Sequence, residues 1–265
     1  MTDRLTVARD AAAEAGKLTL EYFQTDRFDV ERKGDDSPVT IADRNAETLL
    51  RERITAAFPD DAIVGEEHED KPGTSGYQWI LDPIDGTKSF ISGVPLYGTL
   101  VGVLHKDEPV IGVIEIAGLD ERVYAAKGEG AWYRRGDGEA VACQLAKVDS
   151  IADGVFVTTA YRGFLERGGG AEEVFDTLSR QAYIARTWGD CYGYLLVATG
   201  RAHLMIDPLM NIWDAAALLP VITEAGGVYT DWQGKPSVES GEGIATTHEL
   251  LPHVLEITRR FLKPS

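Results

Sequence analysis

The segment from Trp79 to Thr87 places two acidic residues at the end of an apolar run. Asp82 and Asp85 are three positions apart, with Pro83 and Ile84 between them. A strand that ends in a tight loop can direct several oxygen atoms to one point, and Mg²⁺ prefers oxygen ligands in near-octahedral geometry. The two carboxylates and the Ile84 carbonyl therefore predict a magnesium site. Taken alone, the motif is equally typical of an aspartate-rich turn.

Three other acids stand where predicted strands or helices begin or end. Glu66 follows a short apolar strand, Asp214 opens an apolar helix, and Asp43 lies in the first turn of a helix. Each has a simpler explanation, since acids favour the positive end of the helix dipole and Glu66 could be solvated. The presence of all these arrangements in one chain favours a shared site of five carboxylates.

Other catalytic classes fit the sequence less well. Phosphoaspartyl phosphatases use acids two positions apart rather than three, and no Gly-x-x-x-x-Gly-Lys-Ser/Thr nucleotide loop occurs. The five histidines show no zinc-ligand spacing. The two cysteines, Cys143 and Cys191, are far apart in sequence and are interpreted as buried free thiols.

Composition limits the partners of this 265-residue chain, which carries a formal net charge of −17. Such a chain is expected to repel nucleic acid and anionic lipid, so we expect neither as a partner. The charged residues in the first 16 positions are unlike a signal peptide, and no apolar run approaches the ~18 residues of a membrane span. We therefore expect a cytoplasmic protein. A phosphate ester would also be repelled unless bound cations reversed the local field.

The elements that must position these acids form a layered α/β pattern. Helical spacing of apolar residues predicts helices over Leu5–Phe23 and from Thr40 to Phe58, joined by a polar turn over Arg32–Pro38. Short strands in hairpins follow, and strands alternate with helices from about Gly154, ending in a predicted helix over Trp213–Ala225. We expect two halves: residues 1–145 with most metal ligands, and residues 146–265 with Asp214 and the substrate pocket.

The motifs Gly65-Glu66-Glu67, Asp82-Pro83-Ile84-Asp85-Gly86-Thr87 and Trp213-Asp214 resemble, in order and spacing, the signatures of the inositol monophosphatase superfamily. The likeness covers nearly the whole chain. It implies an α-β-α-β-α sandwich of the inositol monophosphatase and fructose-bisphosphatase type. It also implies a homodimer that works with two to three Mg²⁺ per active site.

The resemblance further implies a role for each matching residue. Glu66, Asp82 and the Ile84 carbonyl would hold one ion, and Asp82, Asp85 and Asp214 would hold a second. Glu66 would also help to hold a third ion through waters. Asp43 and Thr87 would orient the attacking water. Two Mg²⁺ would bring the five carboxylates to −1, and a third to +1, which suits a phosphate dianion. Backbone N–H groups of Gly86 and Thr87 would receive the phosphate, with Lys88 beside it or solvated.

Three stretches look most like the histidinol-phosphate branch of the superfamily: residues 85–90, 93–100 and 186–193. That resemblance implies hydrolysis of histidinol phosphate to histidinol, a step of histidine biosynthesis. Asp190 would bind the cationic substrate through charge-assisted hydrogen bonds, and Trp188 would stack on the imidazole. Asp207 is a weaker pocket candidate. Alternatively, Asp190 caps a helix and Asp207 belongs to a plain turn.

Two other functions are weighed against this one. Within the superfamily, the substrate could be inositol 1-phosphate or another sugar or nucleotide phosphate. A different class of protein, a non-catalytic regulator that binds metal and phosphate, could keep the same pocket. The presence of every expected ligand together with Asp43 and Thr87 favours the enzyme.

Overall fold

The computed structural model describes residues 2–25, 31–32 and 38–262. The predicted turn over Arg32–Pro38 lies mostly outside these residues, and only its two ends are seen, paired in a two-stranded ribbon. In the described part of the chain the α-helices are α1 Thr2–Leu20, α2 Ile41–Ala57, α3 Thr87–Ile91, α4 Tyr161–Arg167, α5 Glu172–Gln181, α6 Asp190–Ala198, α7 Ile212–Ala215, α8 Leu218–Glu224 and α9 Leu251–Thr258. The strands are β1 Glu31–Arg32, β2 Pro38–Val39, β3 Ala62–Gly65, β4 Tyr77–Asp85, β5 Gly98–His105, β6 Glu108–Ile116, β7 Glu121–Ala126, β8 Gly130–Arg135, β9 Val141–Ala142, β10 Val155–Val157, β11 Ile184–Arg186, β12 Leu204–Asp207, β13 Val228–Thr230 and β14 Gly243–Thr246.

A seven-stranded sheet contains β3 to β9 in chain order. Only β3 and β4 of this sheet are parallel; the remaining neighbours are antiparallel, in agreement with the predicted hairpins. Side chains alternate between its faces, as the pleat requires. Val101 and Val103 pack with α1 and α2, whereas Leu100 packs in the cluster on the opposite face.

A five-stranded sheet has the order β11-β10-β12-β14-β13. Helices α4, α5 and α9 cover its outer face around Phe164, Val174 and Val254. Helices α6 and α8 lie between the two sheets, where one cluster includes residues of both, such as Leu100 and Met205. The predicted α-β-α-β-α sandwich is therefore confirmed, and its two halves share a core. Division of the chain near residue 145 falls between β9 and β10 and stays our interpretation.

The predicted helix over Trp213–Ala225 is wrong in one respect, because two short helices, α7 and α8, replace it. Pro220 therefore lies in the first turn of α8, where a missing backbone N–H breaks no helical hydrogen bond. The break lies against paired glycines of the large sheet, Gly102 and Gly112. A Cβ atom on Gly112 would come within 2.0 Å of the Ala217 carbonyl oxygen, so this approach requires glycine.

Several elements were not predicted: the strands β1, β2, β9, β13 and β14, and the helices α3, α4 and α9. In addition, none of the helices in the described part of the chain is both long and apolar enough to cross a bilayer.

Candidate active site

The parallel pair β3 and β4 brings Glu66 beside Asp82. Gly65, the last residue of β3, is the register partner of Leu81, and each is followed in the chain by an acid, Glu66 or Asp82. The Glu66 N–H donates to the Leu81 carbonyl at 3.2 Å. The carboxyl ends of neighbouring parallel strands therefore deliver two of the predicted ligands to one edge of the sheet.

A β-bulge separates Asp82 from Asp85. Asp82 pairs with Leu100 and Asp85 with Gly98, so three steps on β4 oppose two on β5. The Ile84 N–H donates to Asp82 Oδ1 at 3.1 Å. Bulges of this kind redirect side chains, and here both acids turn toward the same side of the strand end.

The turn after the bulge is formed by Gly86 and Thr87. Gly86 has a φ of 85°, which favours glycine, and α3 begins directly after it. The Thr87 hydroxyl donates to the Ile84 carbonyl at 3.1 Å. This turn follows Asp85 directly and lines the same cavity as Glu66, and binding of phosphate by its N–H groups stays a prediction.

Asp214 enters from the opposite half of the chain, at the start of α7. The Asn211 N–H donates to Asp214 Oδ2 at 2.6 Å in a capping box. Asp214 therefore acts as a helix-end residue and also faces β4. The close packing of the α7–α8 break on Gly102 and Gly112 sets this position.

Asp82, Asp85 and Asp214 form a compact cluster: one carboxylate oxygen from each lies within 4.8 Å of the others. Burial raises the pKa of Asp82 and Asp85 well above the usual value, and neighbouring carboxylates raise both further. Burial likewise raises the pKa of Asp214 to about 7. An all-oxygen donor set whose charges repel one another fits a hard divalent cation.

Asp43 is buried at the start of α2 and takes part in a capping box. The Thr40 N–H and hydroxyl donate to Asp43 Oδ2 at 2.8 and 2.6 Å, which fixes the carboxylate orientation. Burial raises its pKa to about 6 despite these bonds, and the nearby charge of Glu66 adds to the shift. All five predicted carboxylates therefore belong to one interacting group.

Two adjoining cavities open at this group, with volumes of about 210 and 390 Å³. The first contains Asp85 and Asp214 in its wall, and the second contains Glu66, Gly86 and Thr87. Both are lined by Lys88, Thr159, Ala160 and Asp190. A small ligand could therefore reach the acids and the phosphate-binding turn together.

Asp190 leans over the turn at Gly86, where an added Cβ would lie 3.0 Å from Asp190 Oδ2. Its φ of 49° is uncommon for a residue other than glycine, and such strain often occurs at functional sites. The N-cap of α6 is Gly189, without a side-chain capping bond, so the alternative capping role of Asp190 is wrong. Burial raises the pKa of Asp190 to about 7, helped by Asp207 and Asp214 and opposed by Lys88.

Asp207 ends β12, is buried, and lines the smaller cavity. It accepts hydrogen bonds from the Thr159 N–H at 3.2 Å and from the Tyr194 hydroxyl at 3.1 Å. Burial raises its pKa to about 6. Both contacts join Asp207 to the cavity wall, so it is more than part of a plain turn.

Trp188 lies further out. Its side chain is 44% exposed, and the Arg186 guanidinium carbon is 5.9 Å from the ring centroid. The larger cavity is lined by Gly189, and Trp188 is not among the lining residues of either cavity in the described part of the chain. Stacking of Trp188 on a substrate ring stays a prediction.

Sequence reasoning missed several lining residues: Thr159, Arg162, Glu166, Tyr194 and Met210. Two had a detectable signal. Thr159 follows the predicted strand over Val155–Thr158. Tyr194 lies on the helix predicted over Cys191–Thr199, and since α6 begins at Asp190, the two residues four positions apart share a helix face.

Comparisons with known proteins find relatives that match nearly the whole chain. The sequence profile of the inositol monophosphatase family matches residues 1–261. A histidinol-phosphatase of Chlorobaculum parvum is 42% identical over 95% of this chain and 94% of the relative. One from Streptomyces coelicolor is 34% identical over 96% of each chain. An inositol monophosphatase structure from Zymomonas mobilis superposes with a TM-score of 0.83 at 30% identity, covering 97% of this chain and 98% of that one. The chain therefore belongs to the inositol monophosphatase family.

Proposed function

We propose that this phosphatase hydrolyses histidinol phosphate to histidinol. The observation that supports this most is the charge of the smaller cavity, beside the carboxylates of Asp82, Asp85 and Asp214. Apart from Asp85 and Asp214, its wall holds three acids and two cations: Glu166, Asp190, Asp207, Lys88 and Arg162. With the cluster neutralised by metal, this wall is net acidic and favours a leaving group that carries an ammonium and an imidazole.

The donor set supports Mg²⁺ as the metal, with two to three ions per site. Glu66, Asp82 and the Ile84 carbonyl would hold one ion, and Asp82, Asp85 and Asp214 another. A third would be held by Glu66 through waters. Bound Mg²⁺ would supply positive charge for the phosphate and lower the pKa of a water.

The chain's own residues would then orient the water and the substrate and accept a proton. Asp43, whose carboxylate is fixed by the Thr40 N–H and hydroxyl, would orient the attacking water and accept its proton. Thr87 would orient the same water. The N–H groups of Gly86 and Thr87, with Lys88, would bind the phosphate, while Asp190 and Asp207 bind the leaving group.

Two further properties are part of the proposal. The family resemblance supports a homodimer, and the small phosphate ester proposed as substrate supports a cytoplasmic location.

The substrate is tested by kcat/KM for histidinol phosphate and inositol 1-phosphate, measured with Mg²⁺ on purified protein. We expect histidinol phosphate to be preferred at least about ten-fold, and Asp190→Asn to reduce that preference. Asp176→Asn, an exposed acid on α5 paired with Arg180, is the matched control and should change nothing. A preference for inositol 1-phosphate would overturn the substrate assignment. The absence of phosphate release from any ester would favour the non-catalytic alternative.

A further inference from the structure

Helix α2 holds the segment that follows β3 through a buried ion pair. The Glu47 side chain is fully buried, and its Oε1 accepts a hydrogen bond from Arg51 Nε at 2.7 Å. Its other oxygen, Oε2, accepts from the Glu67 N–H at 2.7 Å. The carboxylate of Glu47 is therefore shared between its own helix and the residue directly after Glu66.

Arg51 extends the same attachment along the segment. Its two terminal nitrogens donate to the carbonyl of Glu69 at 3.0 Å and to that of His68 at 3.2 Å. The guanidinium fork thus binds two successive carbonyls and the Glu47 carboxylate at once. Such multidentate geometry is specific to arginine and fixes the backbone direction as well as its distance.

Gly65, on the other side of Glu66, is also set by Glu47. A Cβ atom on Gly65 would lie 2.1 Å from Glu47 Oε1, so glycine is required for the carboxylate to lie there. The residues before and after Glu66 are therefore both in contact with one buried side chain. This arrangement leaves the backbone of Glu66 little freedom to move relative to α2.

The same helix carries Asp43 in its first turn. Helix α2 therefore fixes two acids of the candidate site, one directly and one through the Glu47–Arg51 pair. A buried charge pair of this kind is weak evidence for added stability, because desolvation offsets much of the attraction. Because the pair holds the residues on both sides of Glu66 against α2, it also fixes the position of Glu66 relative to Asp43.

We propose that Glu47, supported by Arg51, is a positioning residue that sets the affinity of the divalent-ion site containing Glu66. The inference rests on the proposed metal-dependent function. Glu47 itself touches neither the cluster of Asp82, Asp85 and Asp214 nor the substrate cavities. Its substitution therefore weakens the ion held by Glu66 and leaves the ion held by the cluster unchanged.

The test is calorimetric titration of the metal-free protein with Mn²⁺, for wild type and Glu47→Gln. Glutamine has one acceptor oxygen, so its NH₂ group must face one of the two N–H donors that Glu47 satisfies. We expect one class of Mn²⁺ site to weaken 10–100-fold, the range for residues that orient metal ligands. Turnover should need correspondingly more Mg²⁺, while kcat at saturating Mg²⁺ stays within about three-fold of wild type.

Glu14→Gln is the matched control, because it removes an exposed ion pair between Glu14 of α1 and Arg53, which lies on α2 like Glu47. It should leave Mn²⁺ binding unchanged. Arg51→Lys keeps the charge but loses the fork, and it should weaken the same site less than Glu47→Gln does. This variant also provides the test if Glu47→Gln fails to fold.

A variant that is less stable but binds Mn²⁺ at every site within two-fold of wild type would overturn the inference and leave Glu47 a purely structural residue. Wild-type protein that binds no Mn²⁺ would overturn the metal-dependent function as well. The two failures are distinguished by the wild-type titration, which depends on no substrate.

Discussion

Two buried aspartates of the same sheet region show opposite electrostatics. Asp61, just before β3, is 1% exposed and accepts bonds from Arg4 Nε at 2.9 Å, Ser75 Oγ at 2.6 Å and Trp79 Nε1 at 2.9 Å. Although burial opposes ionisation, these donors lower its pKa. Asp82, on β4, is 2% exposed, and burial and its neighbouring carboxylates raise its pKa.

The difference separates an acid that the chain itself compensates from an acid that is proposed to bind metal. At Asp61 the protein supplies the compensating charge and hydrogen bonds, so the carboxylate is stable in the folded chain alone. At Asp82 the neighbouring groups are mostly other acids. A buried charge that the chain does not compensate is costly unless a proton or a cation is bound, and this cost favours a bound cation at the cluster.

The largest expected effect is on catalysis. We expect Asp85→Asn to lower kcat by ~10³-fold or more, because residues that merely orient metal ligands already contribute 10–100-fold. Removing one of several repelling charges should leave the stability of the metal-free protein unchanged or increased. Phosphate release and urea unfolding of the same preparation measure both quantities. Near-normal turnover in the folded variant would remove Asp85 from the site.

Asp61→Asn should show the reverse behaviour. Breaking this buried ion pair leaves the Arg4 guanidinium without its anion, and we expect a loss of about 3 kcal/mol in the free energy of unfolding. Once folded, the variant should keep kcat and Mg²⁺ dependence within two-fold. A large loss of turnover without loss of stability would erase the distinction between the two aspartates.

The stability of the metal-free protein should depend on pH, because the pKa values of the site acids are raised whereas that of Asp61 is lowered. The folded-state pKa values of Asp43 and Asp214 lie at about 6 and 7, above the 3.8 of the unfolded chain. Between these limits the folded protein binds more protons than the unfolded chain does. The free energy of unfolding therefore falls as pH rises from about 4 to 7. The lowered pKa of Asp61 acts oppositely, and its contribution is lost only as pH falls below 3.8.

Urea unfolding at pH 5 and pH 8, with and without Mg²⁺, measures this dependence. We expect lower stability at pH 8 in the absence of metal, and recovery on adding Mg²⁺. Asp214→Asn should reduce both the pH dependence and the recovery. Equal stability at the two pH values without metal would contradict the raised pKa values.

The smallest expected effect concerns the wall of the substrate cavity. Tyr194→Phe removes the hydroxyl that donates to Asp207, and we expect about 1 kcal/mol of lost stability. We expect kcat/KM for histidinol phosphate to fall about five-fold, with Mg²⁺ dependence unchanged. Tyr183→Phe is the control, because Tyr183 is 76% exposed. An unchanged kcat/KM would leave Asp207 independent of Tyr194.

Local pattern was sufficient to predict most of this site. Asp82 and Asp85 follow an apolar run directly, and Asp43 and Asp214 stand at helix starts, so short sequence windows contain the information. The five-layer fold followed from the family resemblance and the alternation of strands and helices.

Other features depend on contacts between distant residues. The contact of Asp207 with Thr159 spans 48 positions, and the break between α7 and α8 depends on glycines of β5 and β6. Helix α4 was missed because it has only seven residues, contains Gly163, and begins after Ala160, which makes no capping bond. The role of Glu47 follows from packing against Gly65, which no local pattern shows.

The most direct test of the central claim is an anomalous difference map from a crystal of this protein grown with Mn²⁺. The account predicts peaks within coordination distance of the carboxylates of Asp82, Asp85 and Asp214, and a further peak beside Glu66. A well-ordered map at saturating Mn²⁺ without a peak at the three aspartates would contradict the account.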